Sequence, residues 1–245
     1  SSDLVPTGVQ AEMSVPMAAR TGVPTRNVLA LFPGSDDRID DEAIFVVAHY
    51  DGLGRWPDGA FYPGANDNAS GVAVMLEAAR VLKESGFEPR RSLFFVAWAP
   101  AERRQELDLA KMLSARLGFV EAYKISAVIE VRGVGAGTGK GLVLDQASSG
   151  RMADVFREAA RREGVPITTR GSVLHESLFY PSYGRTFIPM PGRKRLPYLA
   201  LSWSGSGESE HRESDNVEGI DPQKLGQTGR LLALALMRMA GEPRY

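Results

Sequence analysis

Three short stretches of the chain combine residue types that can bind a cation. His49-Tyr50-Asp51 follows the apolar run Ala43-Ile44-Phe45-Val46-Val47-Ala48. A histidine at the C-terminal end of a strand faces the crevice in which open α/β sheets bind ligands. Asp51 is spaced to accept the other ring N–H and so select the tautomer. Pro63-Gly64-Ala65-Asn66-Asp67-Asn68-Ala69-Ser70-Gly71 sets one carboxylate among amides and small residues, a packing suited to close approach of Asp67 to a positive group. Ser209-Glu210-His211-Arg212-Glu213-Ser214-Asp215-Asn216 adds a second histidine among carboxylates. Imidazole and carboxylate are the donors open to zinc when cysteine is absent, and this chain has none. Each stretch also has a plainer reading: a structural His-x-Asp, a helix start capped by Asn68 or Ser70, and a solvated charge run.

The elements that would position them alternate between apolar runs and helical patterns. This alternation predicts an α/β fold, a three-layer doubly wound mixed sheet with helices on both faces. Strands are read at 27–32, 43–48, 92–98, 127–131 and 198–202. The unbroken apolarity of 43–48 is that of a strand buried on both sides. Val72, Met75, Leu76, Ala79 and Leu82 recur at helical spacing and stop at Gly86. Residues 151–163 repeat the pattern and close at Gly164. A last helix opens at Asp221-Pro222, a capping residue followed by proline in the first turn. Residues 103–112 read as helix and 180–197 as a long surface loop. One domain spans 1–245, with 1–26 as an N-terminal extension or edge segment.

Composition narrows the function. The apolar share of 43% can fill a sizeable core, and 29 basic against 30 acidic residues give a net charge of -1. No global field draws such a chain to nucleic acid. No stretch approaches the ~20 apolar residues that span a bilayer, so no membrane insertion is expected from this segment. Ser1-Ser2-Asp3-Leu4 carries no signal-peptide pattern, and the start reads as an artificial boundary. Gly133 to Gly141 mimics a phosphate loop, but Val134 stands where the Walker pattern needs glycine, and Lys140 is followed by Gly141 rather than Ser or Thr. A flexible turn between strands is expected there. His175 reads as an exposed loop histidine, Trp56 and Trp203 as wall or core residues, and Arg193-Lys194-Arg195 as a solvated face.

Taken together, His-Tyr-Asp after a strand and Gly-Ala-Asn-Asp-Asn-Ala-Ser-Gly before a helix resemble metallopeptidase family 28, the two-zinc aminopeptidases, whose fold glutaminyl cyclases share. Leu93 to Trp98 resembles the strand before that family's Glu-Glu pair. Ala127 to Gly135 resembles its Asn-Leu-Asp-Met-x-Gly segment, and His211 to Asp215 its final His-x-x-x-Asp. The resemblance implies two zincs bridged by an aspartate, with His49 as the first histidine, Asp67 as the bridge and His211 as the last histidine. It implies a glutamate beside a ligand glutamate as general base, and two-metal hydrolysis. An extracytoplasmic setting and a peptide or protein partner are further implications.

The chain departs from that pattern twice. Trp98-Ala99-Pro100-Ala101-Glu102 keeps the ligand glutamate as Glu102 and places Ala101 where the general base belongs; a one-residue shift makes Glu102 the base and Arg103 the ligand position. Either way one carboxylate is missing. Arg132 occupies the position of the non-bridging aspartate, and a guanidinium cannot bind a metal. Glu130 points to the same side but lies about 7 Å away along the strand. The expectation is that Arg132 replaces the first metal by pairing with Asp67. Asp67, Glu102 and His211 remain as a three-ligand set, so at most one zinc is expected. The domain is then a non-catalytic binding or structural module. The alternatives are an active zinc hydrolase using Glu130 or Glu106, and a single-zinc acyltransferase of the glutaminyl cyclase type.

Overall fold

Residues Ala43 to Ala48 have no exposed surface, so their strand lies at the centre of the molecule. In the computed structural model, which describes residues 26–99, 123–145, 149–170 and 197–243, the strands are β1 (Val28–Phe32), β2 (Glu42–His49), β3 (Gly54–Arg55), β4 (Phe61–Tyr62), β5 (Ser92–Trp98), β6 (Lys124–Val131), β7 (Leu142–Asp145), β8 (Ile167–Arg170) and β9 (Tyr198–Trp203). The helices are α1 (Gly71–Glu84), α2 (Gly150–Glu163) and α3 (Pro222–Gly241). Seven strands form one mixed sheet in the order β1-β5-β2-β6-β9-β7-β8, and β3 and β4 make a separate hairpin. Strands β5, β2, β6 and β9 run parallel. Their carboxyl ends therefore share one edge, where His49, Val131 and Trp203 end β2, β6 and β9.

The pleat sorts β2 between two cores. Ile44, Val46 and Ala48 join the cluster built with α1, α2 and α3, while Ala43, Phe45 and Val47 pack with Phe94, Val96, Trp98 and Val128 on the opposite face. Phe45 and Phe94, paired in register, stack with centroids 4.7 Å apart. Each large side chain buried in this way contributes about 1.5–3 kcal/mol. Helix α3 packs against both α1 and α2. Arg91 fastens its end: the guanidinium donates to Glu42 Oε2 at 2.6 Å and to the Met239 carbonyl at 3.1 Å.

Local signals stop and start the helices as the sequence predicts. Gly86 (φ 67°) follows α1. Gly164 (φ 66°) closes α2, with its N–H on the Ala160 carbonyl. Asp221 Oδ1 accepts from Gln223 N at 2.8 Å ahead of Pro222. Other expectations are corrected. The stretch 133–141 is no free turn, since Gly133, Val134 and Gly135 are buried. Trp203 belongs to the core, but Trp56 is 48% exposed on the β3–β4 hairpin. Strands β7 and β8 carry no predicted counterpart. No described helix is long and apolar enough to cross a membrane. Apart from Arg26 and Pro197, the expected extension at 1–26, helix at 103–112 and loop at 180–197, with His175 and Arg193-Lys194-Arg195, lie outside the described residues.

Candidate metal centre

Three of the residues singled out in the sequence meet at the carboxyl edge of the sheet. His49, the last residue of β2, directs Nε2 to Asp67 Oδ1 at 3.2 Å. Its Nδ1 faces Asp51, 3.4 Å from the backbone carbonyl and 3.7 Å from Oδ1. On the other side of Asp67, His211 brings Nε2 to within 3.7 Å of Oδ2. Burial alone would lower the pKa of His49. Hydrogen bonds to Asp51 and Asp67, with the charges of Asp67 and Glu130, outweigh burial and raise it to about 10. The imidazole is thus held as a cation against Asp67.

Asp67 sits on a tight turn, Ala65–Ser70, whose backbone leaves helical angles at Asp67 and Asn68. The Asp67–Asn68 peptide bond is cis. Gly64 enters the turn at φ 68°, and a Cβ there would lie 2.8 Å from the Asp67 carbonyl oxygen. The polar residues around Asp67 do not cap α1: no side-chain cap bond is made at Ser70, so the capping reading is overturned. They clamp the glycine-rich stretch instead. Asn66 Oδ1 accepts from Gly135 N and Ala136 N at 2.9 and 2.8 Å. Asn68 Oδ1 accepts from Gly133 N at 3.1 Å while its amide donates to the Val131 carbonyl at 2.9 Å. Ser70 Oγ accepts from Val134 N at 3.0 Å and donates to the Asn66 carbonyl. Buried N–H groups need such acceptors, which explains why amides and a hydroxyl flank the carboxylate.

Asp215, buried in the loop after β9, completes the mount. Its Oδ1 accepts from Asn66 N at 2.7 Å, its Oδ2 from Asp67 N at 3.0 Å, and its carbonyl from Ala65 N at 3.1 Å. The sequence marks Asp215 only as the end of a motif; its positioning role emerges from the fold.

Arg132 follows β6 at the same edge, yet no hydrogen bond or ion pair joins it to Asp67. That expected pairing is corrected. Burial opposes its charge, but Glu130, Tyr198, Asp145 and Glu210 favour it and raise its pKa. Glu130, two residues before Arg132, is the chief negative charge favouring the guanidinium. It is buried, and it accepts a hydrogen bond from the Tyr198 hydroxyl. Asp145 is engaged by Arg170 at 2.7 and 2.8 Å.

The donors that remain fit a metal. Asp67 Oδ2 is buried without a hydrogen-bond partner, a costly state for a carboxylate oxygen unless a cation satisfies it. Glu210, which the sequence reading passed over, brings its carboxylate to the same place: Asp67, Glu210 and His211 each offer a ligand atom, all within 4.8 Å of one another. Its adjacency to His211 was the available signal. Burial and the neighbouring Asp67 raise the Glu210 pKa. A small cleft lined by Leu53, Tyr62, Asp67, His211 and Arg212 opens onto this cluster. Ala101, Glu102, Arg103 and Glu106 lie outside the described residues.

Comparisons with known proteins bear on the family and the fold. The leupeptin-inactivating enzyme 1 of Streptomyces exfoliatus is 26% identical over 239 residues, covering 91% of this chain and 50% of that protein. Aminopeptidase YwaD of Bacillus subtilis is 34% identical over 93 residues, 38% of this chain and 18% of that protein. Among solved structures, BSAP, a zinc aminopeptidase from Bacillus subtilis, superposes with a TM-score of 0.61 at 24% identity, over 87% of this chain and 49% of that one. At that identity the likeness speaks to fold alone. The chain spans half or less of the length of each. A model of peptidase family M28 matches residues 27–236. With that match over most of its length, the chain belongs to peptidase family M28.

Proposed function

We propose that this family M28 domain has an incomplete catalytic centre, holds at most one metal ion, and serves as a binding or structural module rather than an ordinary aminopeptidase. The observation that carries the reading is Arg132. It occupies the position where the family resemblance calls for an aspartate, and its guanidinium keeps its charge and lends no lone pair. Burial opposes its charge, but Glu130 and its neighbours favour it, so it resides at the carboxyl edge as a permanent cation. His49, the resemblance's ligand to that first metal, instead binds Asp67 directly at 3.2 Å. The alanine at position 101 removes the general base as well, a group worth about 10²–10⁴ in rate.

Zinc held by Asp67 and His211 would supply Lewis-acid polarisation of a bound carbonyl. The chain's own residues would do the rest: Asp215 and the Asn66–Asn68 clamp fix Asp67, and Leu53 and Tyr62 wall the cleft. The proposed partner is a peptide or protein segment, and the proposed setting is extracytoplasmic, from family resemblance. A second reading, a single-zinc hydrolase or an acyltransferase of the glutaminyl cyclase type, is favoured by one observation, the convergence of Asp67, Glu210 and His211. The deciding experiment measures metal content of the purified protein together with turnover of a panel of aminoacyl amides. At most one equivalent and no turnover are expected. Two equivalents, with turnover abolished by a chelator, would reject the reading.

A further inference from the structure

We infer that Glu210 is a metal ligand that, with Asp67 and His211, forms a single divalent-cation site, zinc being its first candidate. This rests on the reading above only for the count of one ion. Three independent features converge. The ligand atoms of the three residues lie within 4.8 Å of one another. Metal bonds of about 2.0–2.2 Å in tetrahedral geometry put ligand atoms ~3.4 Å apart. Asp67 Oδ2 and His211 Nε2, at 3.7 Å, are already near that spacing, and Glu210 has about an ångström to close, within reach of a side-chain rotation.

The second feature is division of labour within Asp67. Its Oδ1 is taken by His49, whereas Oδ2 is buried and unbonded and is the oxygen facing His211. An acceptor left so exposed to desolvation cost is satisfied by a cation. Two carboxylates sharing the place repel each other until positive charge joins them. The third feature is the backbone of His211, held at φ 57°. A left-handed conformation is disfavoured for a residue with a side chain, and such outliers cluster where function over-determines the geometry.

Glu210 thus offers, from the residue beside His211, a carboxylate to the same ion that Asp67 and His211 would share. Two oxygen donors and one nitrogen donor leave coordination positions open, as suits zinc or manganese more than a soft-metal site. Arg132 also acts on Glu210, so its charge competes with the ion.

The test is titration of chelator-stripped protein with Zn²⁺ by calorimetry and with Co²⁺ by visible absorption, for the wild type, Glu210→Gln and the exposed-neighbour control Glu213→Gln. One equivalent is expected for the wild type. Glu210→Gln should weaken Zn²⁺ binding by at least the ~10–100-fold seen for loss of groups that merely orient ligands and reduce the Co²⁺ absorption, while Glu213→Gln leaves both unchanged. Circular dichroism confirms folding of each variant. Wild-type affinity in Glu210→Gln overturns the inference, as does a wild type that binds no metal; the latter leaves the non-catalytic reading intact. Turnover by the one-zinc protein would instead reject that reading while leaving Glu210 as a ligand.

Discussion

Asp215 holds Asp67 by its backbone. Two carboxylate oxygens receive the N–H groups of Asn66 and Asp67 at 2.7 and 3.0 Å across a sequence separation of about 150 residues. The loop after β9 and the turn before α1 are thereby locked together, and the side chain of Asp67 is left facing His49 and His211.

Removing that lock should be costly. Hydrogen bonds to a charged acceptor contribute about 1.5–3 kcal/mol each, so Asp215→Ala is expected to lower unfolding stability by ~3–5 kcal/mol, with Asp215→Asn losing less. Urea denaturation reads the loss, and metal titration should show weaker binding because Asp67 is no longer fixed.

Gly71 makes a second test of the clamp. A Cβ there would lie 2.4 Å from both Asn68 Oδ1 and the Val131 carbonyl. Gly71→Ala is expected to destabilise the domain by at least ~1–3 kcal/mol through overpacking. Gly150→Ala, at a helical position where a Cβ meets nothing within 4 Å, should be neutral or stabilising by ~0.5–1 kcal/mol. Equal effects at the two sites would mean that Asn68 is not held as described.

The His49–Asp67 pair predicts a pH dependence for chelator-treated protein. The folded pKa of His49 is raised to about 10 from an unfolded value of ~6.5. Stability from this group is therefore fully present below pH ~6.5 and is lost as pH climbs toward 10. The denaturation midpoint should fall across that interval in the wild type, and His49→Gln should flatten the fall. A mutant that keeps the wild-type slope would assign the proton to another group.

The two departures from the family pattern can be reversed together. Arg132→Asp is expected to raise bound zinc from at most one equivalent to two, and Ala101→Glu, which supplies the general base, to add turnover only in the double variant. The second ion should add about 2.7 kcal/mol of metal-dependent stability at a free metal concentration 100-fold above its Kd. Unchanged stoichiometry by elemental analysis would show that these positions do not set the metal count.

Much of the scaffold is written locally. A strand buried on both faces, β2, shows as six consecutive apolar residues, and the ends of α2 and α3 show as Gly164 and Asp221-Pro222, because burial and capping act over neighbours in sequence. Of the site, His49, Asp67 and His211 were legible from residue type and position at strand and helix boundaries. The glycine-rich stretch after β6 was misread as a free turn because the acceptors for its N–H groups are supplied by Asn66, Asn68 and Ser70, more than 60 residues earlier.

By itself, then, the sequence determined the α/β alternation, the family and three metal-type side chains, since periodicity, turn chemistry and motif spacing are properties of adjacent residues. The tertiary structure alone decided that no ion pair joins Arg132 to Asp67, that Asp215 mounts Asp67 by its backbone, and that Glu210 comes beside Asp67 and His211. Those outcomes depend on which charges are brought within a few ångströms in a low-dielectric interior, where partner choice is set by packing across distant segments.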